Sequence, residues 1–291
     1  MKKYFFLIIT FLIIAGCNNQ NNTGLKSGEI KTADANIYYI KKGDGDTTLF
    51  FLHGWDINSG YWYNQINNFS KKYRAIAVDL PGFGNSVSSR KDYTVEKYAD
   101  DVIDVINKLD LKNVILIGHS MSGDIILEAA LKNNKAIVGI IGIDNFKFVG
   151  SELNLEQLKE MNSFIDTLTT DYKNVVSEYA TKYLFSRSTD SVVRERVKKD
   201  YRNSNPEVAI SSVKNVFNYD ETIKIQDLNY KLYLINSDGI ATDTEGLKKY
   251  CRSSFEVLDI HGSGHFPMIE KPDEFNRLLQ IAVYKIHNSK N

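Results

Sequence analysis

The sequence predicts an α/β fold, with a doubly wound, mostly parallel sheet and a helical cap inserted after one of its strands. Three observations point to it. From residue 29 onward, short apolar runs alternate with stretches of helical periodicity. Most of those runs are continuously apolar, as strands covered on both faces are, instead of alternating in and out. Between residues 146 and 229 the alternation stops and helix-like stretches follow one another without a strong strand. A connection of that length has structure of its own.

Taken in order, the first runs, 29–32 and 36–40, flank a turn at Asp34 and Ala35. Buried-type strands follow at Thr48–Leu52, 75–78, 114–117, 138–143, 232–235 and Phe255–Ile260. The stretch 94–109 places Val95, Tyr98, Val102, Val105, Ile106 and Leu109 on one helical stripe, with Thr94 as its N-cap. Residues 124–130 form a helix directly after the 114–117 strand. The cap contributes helices at 155–168, 175–184, 192–201 and 208–217. Another helical stretch occupies 245–252, and the last helix opens within 270–276.

Whole-chain properties exclude several function classes. Lys plus Arg equals Asp plus Glu, at 36 each, so no basic surplus points to nucleic acid and no acidic surplus to disorder. No cysteine pair occurs, and no metal or organic cofactor is expected. The 15 Phe and 17 Tyr supply bulk for a large core. No pattern in the chain encodes an oligomeric state.

The N-terminus reads as a targeting segment. Met1, Lys2 and Lys3 make a basic start, and residues 4–15 are almost wholly apolar. That suits a signal h-region and falls short of the roughly 18–20 residues a bilayer span needs. Ile14-Ala15-Gly16-Cys17 resembles the bacterial lipobox, which implies lipidation and cleavage at Cys17, with residues 1–17 as the lipoprotein signal. Residues 18–28, rich in Asn, read as a flexible tether to a domain spanning 29–288. The expected product is exported and held to a bacterial membrane by its acyl chains alone; in a Gram-negative host, Asn18 directs it to the outer membrane. Cys251 is then left without a partner and reads as a packing residue.

The chemistry is carried by Gly118-His119-Ser120-Met121-Ser122-Gly123, between the 114–117 strand and the following helix. A serine on a sharp strand-to-helix turn has its hydroxyl lifted clear of the backbone, beside free N–H groups at a helix N-terminus. The usual pattern is G-x-S-x-G; here Ser122 takes the last position and Gly123 follows. Three further segments accompany it: His53-Gly54-Trp55 after Thr48–Leu52, Asp79-Leu80-Pro81-Gly82-Phe83-Gly84-Asn85-Ser86 after 75–78, and Gly262-Ser263-Gly264-His265-Phe266-Pro267-Met268 after Phe255–Ile260.

In these four segments, in this order, the chain resembles the α/β-hydrolase fold family over roughly residues 29–287. The resemblance implies Ser120 as nucleophile and His265 as general base. It assigns the oxyanion hole to the backbone N–H groups of Trp55 and Met121. It makes the Asp79 segment a structural turn, and His261 and His119 bystanders. The acid normally follows the strand after the cap, which makes Asp238 the first candidate; Asp144 and Asp243 are alternatives, Asp243 better suiting an N-cap.

A serine nucleophile argues against the branches of that family that use an aspartate there, the dehalogenases and epoxide hydrolases. The resemblance therefore implies hydrolysis of a carboxylic ester or related acyl bond in a small-molecule substrate, through an acyl-enzyme. Alternatives on the same fold are a carbon–carbon bond hydrolase, an aminopeptidase using cap acids such as Glu152, Glu156 and Glu160, and a catalytically silent ligand-binding lipoprotein. Tyr172, Tyr179, Tyr183 and Phe185 of the cap either pack it or line its pocket.

Overall fold

The computed structural model describes residues 24–288. The signal segment, Cys17 and the first part of the tether lie outside the described residues. In chain order the strands are β1 (Lys26–Lys31), β2 (Ala35–Lys42), β3 (Thr48–Leu52), β4 (Arg74–Val78), β5 (Val87–Ser88), β6 (Val114–His119), β7 (Ile137–Ile143), β8 (Leu232–Ser237) and β9 (Phe255–Ile260). They form one sheet in the order β1-β2-β4-β3-β6-β7-β8-β9, with β5 against β2. Pairing is antiparallel at β1–β2, β2–β4 and β2–β5, and parallel from β4 through to β9.

The helices are α1 (Tyr63–Phe69), α2 (Val95–Lys108), α3 (Ser122–Leu131), α4 (Leu155–Tyr179), α5 (Ser191–Asn203), α6 (Pro206–Phe217), α7 (Glu221–Lys224), α8 (Thr244–Tyr250), α9 (Pro267–Glu270) and α10 (Pro272–Asn288). α2 packs with α3 and α1 with α10, so the central strands are covered twice. Leu49, Phe50, Phe51 and Leu52 of β3 are fully buried, the consequence of an apolar run with no polar face. The chain runs from β3 to β4 on one side, then returns to β6 on the other side of β3. Loops leaving β3 and β6 therefore diverge at a topological switch point, where such sheets open a crevice.

Capping explains why the cap helices start where they do. Asn154 opens α4 with a reciprocal capping box to Gln157, Asp190 caps α5, and Asn205 caps α6 ahead of Pro206 at its first position. The two helices expected at 155–168 and 175–184 meet within α4 at a non-helical kink at Asp171 (φ −145°, ψ 57°), and the second continues as a wider turn over Ala180–Leu184. A difference lies at the start: residues 26–28 belong to β1 and not to a tether, since Lys26, Ser27 and Gly28 pair with Lys41, Ile40 and Tyr39. Cys251 is buried just after α8, its Sγ 3.4 Å from the Ser254 carbonyl. Among the described residues no helix is long and apolar enough to cross a membrane.

Candidate active site

Ser120 stands between β6 and α3 with φ +52°, a left-handed conformation that a non-glycine residue holds only when its surroundings enforce it. Here they do. Its N–H donates to the Ile143 carbonyl (2.9 Å), and its own carbonyl accepts from Gly123 N (2.8 Å) and Asn145 Nδ2 (3.3 Å). A Cβ at Gly118 would lie 2.3 Å from the Ser122 carbonyl oxygen, and one at Gly123 would lie 2.5 Å from Asn145 Nδ2. These two contacts explain why glycine flanks the turn at 118 and 123. They also resolve the departure at Ser122: its side chain is fully buried and its hydroxyl donates to the His53 carbonyl at 2.5 Å. The residue that breaks the pattern ties the turn to the loop leaving β3.

That loop is held from several sides. His53 is fully buried; its Nε2 accepts from Leu80 N at 2.9 Å, which leaves Nδ1 to donate to the Gly54 carbonyl at 2.7 Å. Burial pushes its pKa down, so the ring stays neutral. Gly54 allows close approach, since a Cβ there would meet His119 Nδ1 at 2.7 Å and Ser120 Cβ at 3.0 Å. Trp55 anchors the loop to the cap: its indole N–H donates to the Ala209 carbonyl in α6 at 2.9 Å, and its ring packs against Phe164, Tyr179 and Tyr201. Next to the loop, Asp79 accepts from Ser59 N (2.6 Å) and Asn85 N (2.7 Å), holding its turn by backbone hydrogen bonds.

His265 follows β9, and its Nδ1 meets Asp144 Oδ2 at 2.5 Å. Asp144, at the end of β7 with φ +50°, is buried. Its Oδ1 accepts from Ser237 N (2.8 Å) and Ser237 Oγ (2.7 Å) and lies 2.7 Å from Lys147 Nζ. Burial opposes its charge, yet the hydrogen bonds and charges of His265 and Lys147 outweigh that and hold the carboxyl well below the usual range. The expected pairing of Asp238 with His265 is therefore corrected. Asp238 lies at the surface, where it accepts from His261 Nδ1 (3.1 Å) and Gly262 N (3.0 Å). It pins the turn after β9, whereas the left-handed turn at Asp144 aims that carboxylate inward. Asp243 caps α8, accepting from Glu245 N and Gly246 N at 3.0 Å each.

The backbone around His265 is clamped as well. Glu270 Oε2 accepts from Gly264 N (2.9 Å) and Thr189 Oγ1 (2.5 Å), and Oε1 accepts from Phe266 N (3.0 Å). His265 N donates to the Leu184 carbonyl of the cap at 2.8 Å. His119, buried beneath, contacts the His265 carbonyl through Nε2 at 2.7 Å, and burial followed by the neighbouring His265 charge lowers its pKa to about 3. Neutral His119 then donates from Nε2, and its Nδ1 has no hydrogen-bond partner among the described residues. This is a supporting role.

Ser120, Met121 and His265 share the wall of a cavity of about 680 Å³ beneath the cap, with Tyr179, Tyr183 and Phe185 on the cap side. A smaller space of about 110 Å³ runs from Ser120 and His265 toward Trp55, Phe164, Tyr201 and Val213. Of the cap aromatics, Tyr172 turns elsewhere: its hydroxyl donates to Asp56 Oδ2 at 2.5 Å. Glu152, Glu156 and Glu160 are exposed, which corrects their candidacy as pocket acids. Asp124 and Glu221 line the cavity instead; burial pushes both carboxyls up, Glu221 to about 7, and the neighbouring Glu221 raises Asp124 further. Lys147, Asn145 and Glu270 are site residues the sequence reading missed. The one signal for them was polar residues close to motif positions, Glu270 five residues after His265 and Lys147 three after Asp144.

A strained serine at a switch point, with a buried acid–histidine pair in the same cavity, defines a protein built around a nucleophile elbow. The chain belongs to the alpha/beta hydrolase fold family, whose model matches residues 47–272. Among curated relatives it is 33% identical to the pimeloyl-[acyl-carrier protein] methyl ester esterase of Yersinia pseudotuberculosis over 109 residues, 38% of this chain and 40% of that protein. It is 38% identical to the (E)-2-((N-methylformamido)methylene)succinate hydrolase of Acinetobacter baylyi over 84 residues, 29% of this chain and 32% of that protein. These matches thus span two fifths or less of the relatives' own length. Among solved structures it is similar to a bromoperoxidase from Bacillus anthracis (TM-score 0.77, 20% identity, 90% of this chain and 100% of that one). A thermophilic esterase from Thermogutta terrifontis is close behind (TM-score 0.76, 19% identity, 90% and 99%). At those identities the likeness speaks for the fold.

Proposed function

We propose that this chain is a serine hydrolase that cleaves a carboxylic ester or related acyl bond through an acyl-enzyme intermediate. The observation that carries the reading is the 2.5 Å contact between His265 Nδ1 and buried Asp144, with Ser120 on the same cavity wall. Asp144 orients the ring so that Nε2 accepts the Ser120 proton as Oγ attacks the acyl carbon. The tetrahedral oxyanion is received by the N–H groups of Trp55 and Met121, a pair whose loss of one member costs about 3 kcal/mol of transition-state stabilisation. Collapse returns the proton from His265 to the leaving alcohol. Water then repeats the sequence on the acyl-enzyme, releasing the acid and restoring Ser120.

The esterase among the curated relatives supports an ester substrate. The smaller space beside Trp55, about 110 Å³, suits a short apolar group, since an apolar cavity of roughly 150 Å³ takes benzene. A second reading, an aminopeptidase, draws on Asp124 and Glu221 in the cavity. Burial keeps this pair from holding two charges at neutral pH, which weakens it as a seat for an ammonium group and favours the ester.

Ser120→Ala tests the reading: it abolishes p-nitrophenyl ester turnover and fluorophosphonate labelling while circular dichroism stays that of the parent. Unchanged turnover overturns it. A silent ligand-binding protein would leave the parent itself unlabelled, and preferred turnover of aminoacyl anilides would favour the second reading. We further propose that Cys17 carries a lipid anchor. Metabolic labelling with a radioactive fatty acid that persists in Cys17→Ser would exclude it.

A further inference from the structure

We propose that Lys147 is a positioning residue of the acid–histidine pair, a fixed buried cation that orients Asp144 and partly cancels the charge His265 faces. The inference rests on the acyl-enzyme reading above. Lysine is almost never fully buried unless paired, because removing an ammonium group from water is costly. Lys147 is nonetheless only 6% exposed. Its Nζ lies 2.7 Å from Asp144 Oδ1, 3.0 Å from the Ser237 carbonyl and 3.2 Å from Ser237 Oγ, so each of its three protons has an acceptor. An ammonium so occupied is no seat for a substrate carboxylate. Its place is among the supports of the site.

What it supports follows from how Asp144 divides its oxygens. Oδ1 is taken by Lys147, Ser237 N and Ser237 Oγ, and Oδ2 is left to His265 Nδ1. One oxygen is saturated from the β8 side, and the other points at the imidazole. The carboxylate can therefore neither rotate nor swap partners without breaking three contacts. The charge has a second consequence. A lone buried carboxylate against an imidazole favours the protonated ring, and a protonated ring cannot accept the Ser120 proton. A cation on the far oxygen weakens that pull, which leaves the base free at lower pH.

The other charged and titratable groups around the pair come from every packed element. His119 lies beneath His265 at the end of β6, with ring centroids 4.7 Å apart. Glu270 of α9 is engaged with Gly264 N, Phe266 N and Thr189. Asp124 of α3, Glu221 of α7 and Lys182 of the cap line the same cavity. Among the described residues, Lys147 is the lysine or arginine in ion-pair contact with Asp144.

The test is the pH dependence of fluorophosphonate labelling of the full chain. In Lys147→Met the acid limb of the labelling rate moves to higher pH by about one unit, the scale of one nearby charge. Lys147→Arg, which restores the cation, moves it back. Ser237→Ala, which removes a hydroxyl without changing charge, slows labelling with the limb in place. An unmoved limb in folded Lys147→Met overturns the inference. Lys147→Gln serves the same comparison should the methionine variant not fold, and an unmoved limb there overturns it equally. A parent chain that does not label at all instead overturns the acyl-enzyme reading and this inference with it.

Discussion

At the carboxyl ends of β7 and β8 the chain builds the same two residue types into a pair, once inside and once outside. Asp144 and His265 meet at 2.5 Å with side chains 6% and 18% exposed, whereas Asp238 and His261 meet at 3.1 Å with side chains 45% and 75% exposed. Water screens the outer pair, and such contacts are worth about 0–1 kcal/mol. The inner pair sits where charges act at low dielectric and each carboxylate oxygen has an assigned partner. Identity and sequence spacing do not separate them. Burial and the left-handed turn at Asp144 do.

The sharpest way to break that comparison is to neutralise each acid in turn. Asp144→Asn lowers kcat by about four orders of magnitude, because the ring loses the partner that fixes its tautomer. Asp238→Asn leaves kcat within about twofold of the parent, a surface-pair effect. Initial rates on one p-nitrophenyl ester decide both, and comparable losses in the two variants would erase the distinction. A smaller effect is expected one layer out. Glu270→Gln keeps one acceptor oxygen and sets an amide NH2 against either Phe266 N or Gly264 N, and it lowers kcat about tenfold with KM little changed, the size of one charge-assisted hydrogen bond.

Stability against pH contrasts the sheet edge with the cap junction. His119 is depressed to about 3 in the folded chain against 6.5 free, so the unfolded chain binds more protons between those values. Stability therefore falls as pH drops from 6.5 towards 3, and the lowered carboxyl of Asp144 adds a further loss below about 4, near the ordinary carboxylate range. Asp56 behaves oppositely. Burial, partly offset by Tyr172 and Ser204, raises it to about 8 from 3.8, so its folded form holds a proton that the unfolded form releases. That contribution is complete below 3.8 and is lost as pH rises through 8. Asp56→Asn removes the loss between 3.8 and 8 and leaves the slope below 3.8 unchanged. Denaturant midpoints between pH 3 and 9 measure both slopes.

Much of this was legible in the residues. The apolar runs from Thr48 onward marked the buried strands of an α/β protein because strands buried on two faces admit no polar position. Thr94 marked a helix start because capping is local chemistry. Ser120 and His265 stood out because their turns need small residues at fixed offsets. The acid did not stand out. Asp144 and Asp238 each end a parallel strand, and their separation from His265 in space depends on how β7, β8 and β9 lie side by side. Lys147 and Glu270 were invisible for a related reason: a lysine or glutamate reads as solvated until packing closes over it.

By itself, then, the amino-acid order determined the layered α/β architecture, the inserted helices and the two motif residues, all of which follow from periodicity and short-range turn chemistry. Only the folded chain decided which aspartate faces the imidazole, which lysine is enclosed with it, and which cap aromatics reach the cavity. Those outcomes depend on contacts between segments far apart along the chain, and on the loss of water around them, which no local pattern records.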